Sequence, residues 1–582
     1  MRRLSGLLIL VILMVLPGTA WADHVPPEVG VVPARLDELP TVVAEGPIRY
    51  VSNAQTGRDF AGTFGEVPPF VRDGRTYLVA ASSYYGFSVI DVTDPAAPTV
   101  VSEYASGFGC PISPIQSTIT TRRPDPLGYG AWENDISFAP DGRWVVIGTD
   151  STGRCHDPAG GGMELVDLSD VTNPKVVHLV RNVGYAHSIT LDPKRPWLAY
   201  MSSSDSNDVI DVVDFKSCIG KDPAGCAPQV ARLVLDPVHL PGLADAEKED
   251  QTTDGCHDLR FYNDLAFCAA VGSTLILDVS HALKPDGTLT GSLLTEGGSC
   301  PLLDGDPIWA PQVKVTDCEG WTKEAFLEAG GKSADIRLLS VIKHDGSKPP
   351  TEDIQISHLA TAIGDGRIMI IGDERGGGLG TDVCPGGGVW FYDIRDPRHP
   401  VEMRQPDGGR GVYMPTVNIP DIAGMNPSCT SHYGREFADE NLLTFAWYTN
   451  GTRVLRYFPD FTKTPAAIRF EEVASIAPIG MATDSMVLAR NPDNANEVLV
   501  YSSDAVRGVD VMAVVTPRLT RLQAFVTSTT QAPVVPKPRV LSGSNDRPLA
   551  GTGLSTPADA AALLLLLAFA TRLVVLRVSN RY

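Results

Sequence analysis

Four of the eleven histidines share one local setting. The segments are Ala186-His187-Ser-Ile-Thr, Cys256-His257-Asp-Leu-Arg, Ser357-His358-Leu-Ala-Thr and Ser431-His432-Tyr-Gly-Arg. Each opens a β-type run that is followed by a turn and a second, apolar run. Imidazole is the commonest side-chain metal ligand, and several neutral ring nitrogens brought toward one axis would suit a transition metal such as iron, copper or zinc. His187, His257, His358 and His432 are therefore the candidate metal ligands. Acids recur where the second run ends, at Asp150, Asp205, Asp373-Glu374 and Asp504. Carboxylates there would orient the imidazoles, or hold a hard cation themselves. The competing reading is a histidine copied with a repeat, hydrogen-bonded inside its own unit, beside acids that are ordinary turn residues. Asn134 and Asp484 fill the same place in other units, which fits either account.

The elements that position these residues come from a repeated phrase. It reads Phe87-Ser-Val-Ile-Asp91-Val-Thr-Asp94-Pro95, then Met163-Glu-Leu-Val-Asp167-Leu-Ser-Asp170, then Val389-Trp-Phe-Tyr-Asp393-Ile-Arg-Asp396-Pro397, with looser copies at 209–214, 275–280, 454–459 and 509–512. Each copy is a β-rich run closed by an Asx/Pro turn. One such unit cannot bury its apolar face alone, so the array predicts stacked blades. Working outward gives four strands per unit, with a Pro-Asp-Gly turn (140–142) ahead of the Val/Ile-rich strand at 144–148. The first strands start at Pro68, Asn134, His187, His257, His358, His432 and Asp484. The expectation is an all-β fold, a single seven-bladed β-propeller of four-stranded antiparallel blades over roughly 46–526. A spare strand at 47–52 would complete the last blade and close the ring, although 519–526 competes for that place. No composition break supports two β-sandwich domains instead.

The repeated phrase resembles the LVIVD repeat of secreted bacterial and archaeal propellers, over about 85–515. That resemblance implies the fold and export, and almost nothing about activity. The histidine register is similar to the axial four-histidine iron site of the carotenoid cleavage oxygenases. None of that family's longer motifs is present, and no residue is carried over from it.

The chain ends read as processing signals. Arg2 and Arg3, an apolar stretch at 4–16 and Ala20-Trp21-Ala22 predict a signal peptide over 1–22, followed by an N-terminal segment at 23–45. Residues 527–548 form a Pro/Ser/Thr-rich spacer. Then come Leu549-Ala-Gly-Thr-Gly553, an apolar run at 560–571 and Arg572, Arg577 and Arg581, closing the chain at 582. This order resembles a sortase sorting signal of the Leu-Ala-x-Thr-Gly type. It implies sortase as the processing enzyme and linkage to the cell wall, with a plain membrane tail anchor as the alternative. Membrane contact would then come only through the C-terminal apolar segment.

Composition fits an exported folded body. The formal charge of −21 excludes a nucleic-acid partner, which needs a basic stripe. Ten cysteines without a CxxC pair read as disulfides rather than a zinc site, with Cys218–Cys226 and Cys300–Cys318 the expected pairs. Glycine-rich loops at 150–162 and 373–388 lack the residues of a phosphate loop, and an insertion at 296–353 carries a short helical run at 322–329. No hydrolase elbow or zinc-protease motif is present. Two functions stay open at this point. One is a surface-anchored module that binds a protein or glycan. The other is a metal-dependent oxidoreductase at the four-histidine site.

Overall fold

Strands rich in Val, Ile and Ala on both of their faces must be covered on both sides, and that requirement shapes the chain. In the computed structural model the described residues are 42–515, apart from 55–66, 83–85, 106–132, 139–142, 150–161, 203–208, 241–252, 295–322, 377–382, 418–427 and a few shorter stretches. The expected signal peptide, spacer, sorting signal, strand at 519–526 and Cys300–Cys318 pair lie outside the described residues, as do Asp150, Asp205 and most of the first glycine-rich loop. Among the described residues no helix is long and apolar enough to cross a membrane.

The strands form antiparallel up-and-down meanders spanning 69–105, 133–180, 188–234, 253–343, 357–413, 434–478 and 482–515. The 253–343 and 357–413 meanders are joined into one nine-stranded sheet through the single pair Val271–Ser357. Alternate side chains of a strand serve different neighbours. Leu78 and Ala80 pack with Leu499, Tyr501 and Val511 of the last meander, while Tyr77, Val79 and Ala81 pack with Ile136, Val145 and Ile147 of the next one. The same kind of cluster lies between every consecutive pair, with Trp390 and Met369 against Phe267, and Leu443 and Phe445 against Ile370 and Phe391. Because the last meander packs on the first, the sheets close on themselves as a β-propeller.

The strand Ile48–Ala54 pairs antiparallel with Gly508–Val515, so the spare N-terminal strand does complete the last sheet. A second N-terminal strand was not anticipated. Val42–Glu45 adds to Ala467–Pro478 of the preceding sheet, and Gly46 turns the chain between the two. Gly46 sits at φ +77°, and a Cβ there would lie 2.3 Å from the Val473 carbonyl oxygen, so only glycine fits.

The acids of the repeated phrase turn out to be turn residues. Asp91, Asp167, Asp214, Asp278, Asp393 and Asp460 each accept the backbone N–H two residues on, at 2.7–3.1 Å. These are Asx turns that end the third strand of six of the meanders.

The insertion reading needs correction. Its helix is present at Lys323–Glu328, but Arg337–Lys343 is the outer strand of the 253–343 meander, paired along Ser273–Asp278. Leu338, Leu339, Val341 and Ile342 supply the apolar side chains that make it a strand. The cysteines near the body pair as Cys218–Cys226, which was expected, and as Cys256–Cys268 and Cys384–Cys429.

Candidate metal centre

The four register histidines sit at the opening of the first strand in four consecutive meanders. Ladder irregularities fall at this place. The pairing slips between Thr253 and Asp258, across His257, and between Ser357 and Leu359, across His358. The same slip spans positions 134 and 484 in other meanders. A bulge of this kind re-aims one side chain out of the alternating pattern.

All four imidazoles are buried, His187 at 2% exposure and the other three at 0%. They form a continuous arc. Ring centres are 4.3 Å apart for His187 and His257, 4.3 Å for His257 and His358, and 4.1 Å for His358 and His432. A metal bound by a ring nitrogen at about 2.1 Å lies about 3.2 Å from the ring centre, so two ligands at right angles would stand about 4.5 Å apart. The observed spacings are close to that. Imidazole and carboxylate donors in a buried pocket suit iron, copper or zinc better than a hard cation.

Glu374 completes the group. Its carboxylate is fully buried, with Oε2 3.6 Å from His358 Nε2 and Oε1 3.7 Å from His432 Nε2. Ligand atoms of His257, His358 and Glu374 all lie within 4.8 Å of one another. From sequence this acid either orients the imidazoles or holds a hard cation itself; its contact distances make it a ligand candidate alongside the histidines. The ladder explains its place: Asp373 is the last strand residue, paired with Ser357, and Glu374 follows with its N–H bonded to the Ile356 carbonyl at 3.0 Å.

Aromatic and ionic residues surround the arc. Tyr433 lies against His358 and His432, with ring centres 4.9 and 4.5 Å away. Tyr448 lies 4.8 Å from His432 and its hydroxyl donates to Glu374 Oε1. Asp258 accepts from Arg260 Nε at 2.9 Å and from Ser188 Oγ at 3.1 Å, and the Arg260 guanidinium sits 5.1 Å from the centre of the Tyr433 ring. Asp258 and Tyr433 each directly follow a register histidine, which is the signal that could have marked them.

Asp373 points the other way from the ligand group in role. It is fully buried, and burial pushes its carboxyl up to about 6, against hydrogen bonds from the Ile356 and Gln355 N–H groups and the nearby Arg375. Its carbonyl accepts from Thr430 Oγ1 at 2.8 Å and Ser431 Oγ at 3.0 Å, tying the strand end to the segment that leads into His432. The close of the second glycine-rich loop packs here: a Cβ on Gly387 would lie 1.9 Å from the Asp373 carbonyl oxygen. Close backbone approach thus explains that glycine. Disulfides brace two of the histidine positions, since Cys256 directly precedes His257 and Cys429 lies three residues before His432.

No family model and no curated protein matches the chain. Among solved structures, the periplasmic gluconolactonase PpgL of Pseudomonas aeruginosa is similar at 12% identity and a TM-score of 0.38, covering 79% of this chain and 96% of that one. The Cps50 (Swd1) β-propeller domain of Myceliophteria thermophila is similar at 11% identity and a TM-score of 0.37, covering 80% of this chain and 99% of that one.

Proposed function

We propose that this chain is a metal-dependent oxidoreductase whose site is the buried histidine end of a seven-bladed propeller. The observation that carries the reading is the unbroken contact of four imidazoles delivered by four consecutive meanders. Buried polar side chains are costly to keep inside a fold, and four together at one structural position need a shared role. A bound iron or copper ion would supply one-electron and oxygen chemistry. The chain's own residues hold the ion through ring nitrogens, fix the rings against Tyr433 and exclude bulk water by full burial. The count of seven blades is supported by the meanders named above and by the cluster that packs the last on the first.

The test is metal content. The purified chain should carry about one equivalent of iron, copper or zinc, and His257→Ala or His358→Ala should abolish it. Failure to bind any of the three metals on reconstitution, with the fold intact by circular dichroism, removes the reading.

A second reading is kept for a specific reason. The sequence order of spacer, Leu549-Ala-Gly-Thr-Gly553, apolar run and basic tail supports an exported protein displayed on the cell surface, and the resemblance to LVIVD propellers supports export. Display suits a module that binds a protein or glycan partner. Under that reading, partner binding survives His187→Ala and His257→Ala. Thr552→Ala would block wall linkage, whereas release of full-length precursor by detergent alone would favour a membrane tail anchor.

A further inference from the structure

Resting on the metal reading above, we infer that the ion is ferrous iron held on one face by His257, His358 and Glu374, with Tyr448 positioning the carboxylate. Two histidines and one carboxylate that leave neighbouring positions open are the donor set of oxygen-binding, non-haem ferrous sites. Among the described residues these three are the group whose ligand atoms mutually approach within 4.8 Å, and neither His187 nor His432 belongs to it. An arc of four rings touching only in sequence places its end members on opposite flanks. His187 abuts His257, and His432 abuts His358.

Tyr448 gives the second line of argument. Its hydroxyl donates to Glu374 Oε1, while Oε2 is the oxygen 3.6 Å from His358 Nε2. The phenol thereby fixes Oε1, which also lies 3.7 Å from His432 Nε2, while Oε2 is turned toward His358, as for a one-oxygen ligand held by an outer partner. The backbone is strained to deliver this phenol. Tyr448 has φ +41°, unusual for a bulky residue, and is 1% exposed. A tight turn holds it there: Asn450 N–H donates to the Trp447 carbonyl at 2.8 Å, Gly451 N–H to the Tyr448 carbonyl at 3.0 Å, and Thr449 N–H to the Ser428 carbonyl at 3.0 Å. The Trp447 indole N–H is bonded to the Gly387 carbonyl at 3.1 Å.

The test separates this set from a site made of all four imidazoles. The full chain is loaded anaerobically with ferrous iron, its affinity is read by competition with a chelator, and nitric oxide is added as a probe of open positions. Glu374→Gln should weaken iron binding by about a hundredfold, approaching the loss expected of His257→Ala, and Tyr448→Phe about tenfold, with Glu374→Asp restoring part of the loss. His187→Ala should change affinity by less than about threefold. Wild type should give a high-spin ferrous–nitrosyl EPR signal whose shape changes in Tyr448→Phe, a readout that simple loosening of the fold would not produce. The reverse pattern, with His187→Ala as damaging as His257→Ala and Glu374→Gln and Tyr448→Phe near wild type, overturns the triad and leaves the metal reading standing. Bound iron that takes up no nitric oxide also overturns it. Absence of metal from wild type overturns both readings together.

Discussion

Asp373 and Asp167 are the same side chain at opposite ends of two meanders, and they have opposite fates. Asp373, at the histidine end, is fully buried, and burial drives its carboxyl up to about 6. Asp167, at the turn end, also feels burial working to raise it, but hydrogen bonds from Arg143, Ser169 and the Ser169 N–H outweigh that and hold it below the usual carboxylate range. The turn end repeats one local solution, a carboxylate that closes a turn two residues ahead, and in Arg75–Asp91 and Arg143–Asp167 it also meets a cation at the start of the second strand. The histidine end gathers residues from several meanders into one buried group. Repetition at one end makes the fold, and convergence at the other makes the site.

Breaking the bracing of the histidine end should have the largest effect. Replacing both Cys256 and Cys268 by alanine opens a twelve-residue loop and should cost about 3 kcal/mol in denaturant unfolding. It should also lower metal affinity, because His257 is the next residue. Loss of stability with unchanged metal affinity would separate the brace from the site.

His344 sharpens the comparison through pH. It is fully buried, burial lowers its pKa to about 3, and Nε2 lies 2.9 Å from Thr274 Oγ1, with Asp353 Oδ1 3.9 Å from Nδ1. A folded-state value below the unfolded one means that the unfolded chain takes up the proton first. Stability from this group is complete above about pH 6.5 and is lost as pH falls toward 3. Between pH 7 and 5 the loss should be about 2 kcal/mol, and His344→Gln should flatten that slope in urea melts taken across the pH series.

Smaller effects belong to the turn end. Asp167→Ala removes the Asx turn and should cost about 1 kcal/mol, with metal content unchanged. Arg75 pairs with Asp91 from an exposed position, and Arg75→Ala should leave the melting temperature unmoved within error. A metal-binding defect from either change would break the division between the two ends.

The sequence revealed the repeating parts of the molecule better than the singular ones. Histidine positions opened the first strands because each repeat announces its own start, and the spare strand at 48–54 had one unfilled place to go. The strand at 337–343 was hidden because no repeated phrase accompanies it and a long insertion separates it from its partner. Glu374 could not be told from Asp373 by spacing, since a one-residue step past the end of a ladder decides which of them meets the imidazoles. Tyr448 reaches Glu374 across 74 residues through a left-handed turn, and no short pattern encodes such a contact.

The N-terminal segment has a consequence for the order in which the molecule can be finished. Tyr50 and Asn53 both bond Asp510, some 460 residues later, so the last sheet lacks an outer strand unless the earliest part of the chain is still available. During synthesis the strand at 48–54 cannot find its partner until 508–515 has been made. Pairing at such sequence distance is slow, and unpaired strand ends invite association with other chains. A truncation that removes 42–54 therefore strips the outer strand from the last sheet and the added strand from the one before it. The expected product is an aggregating chain rather than a slightly shorter propeller.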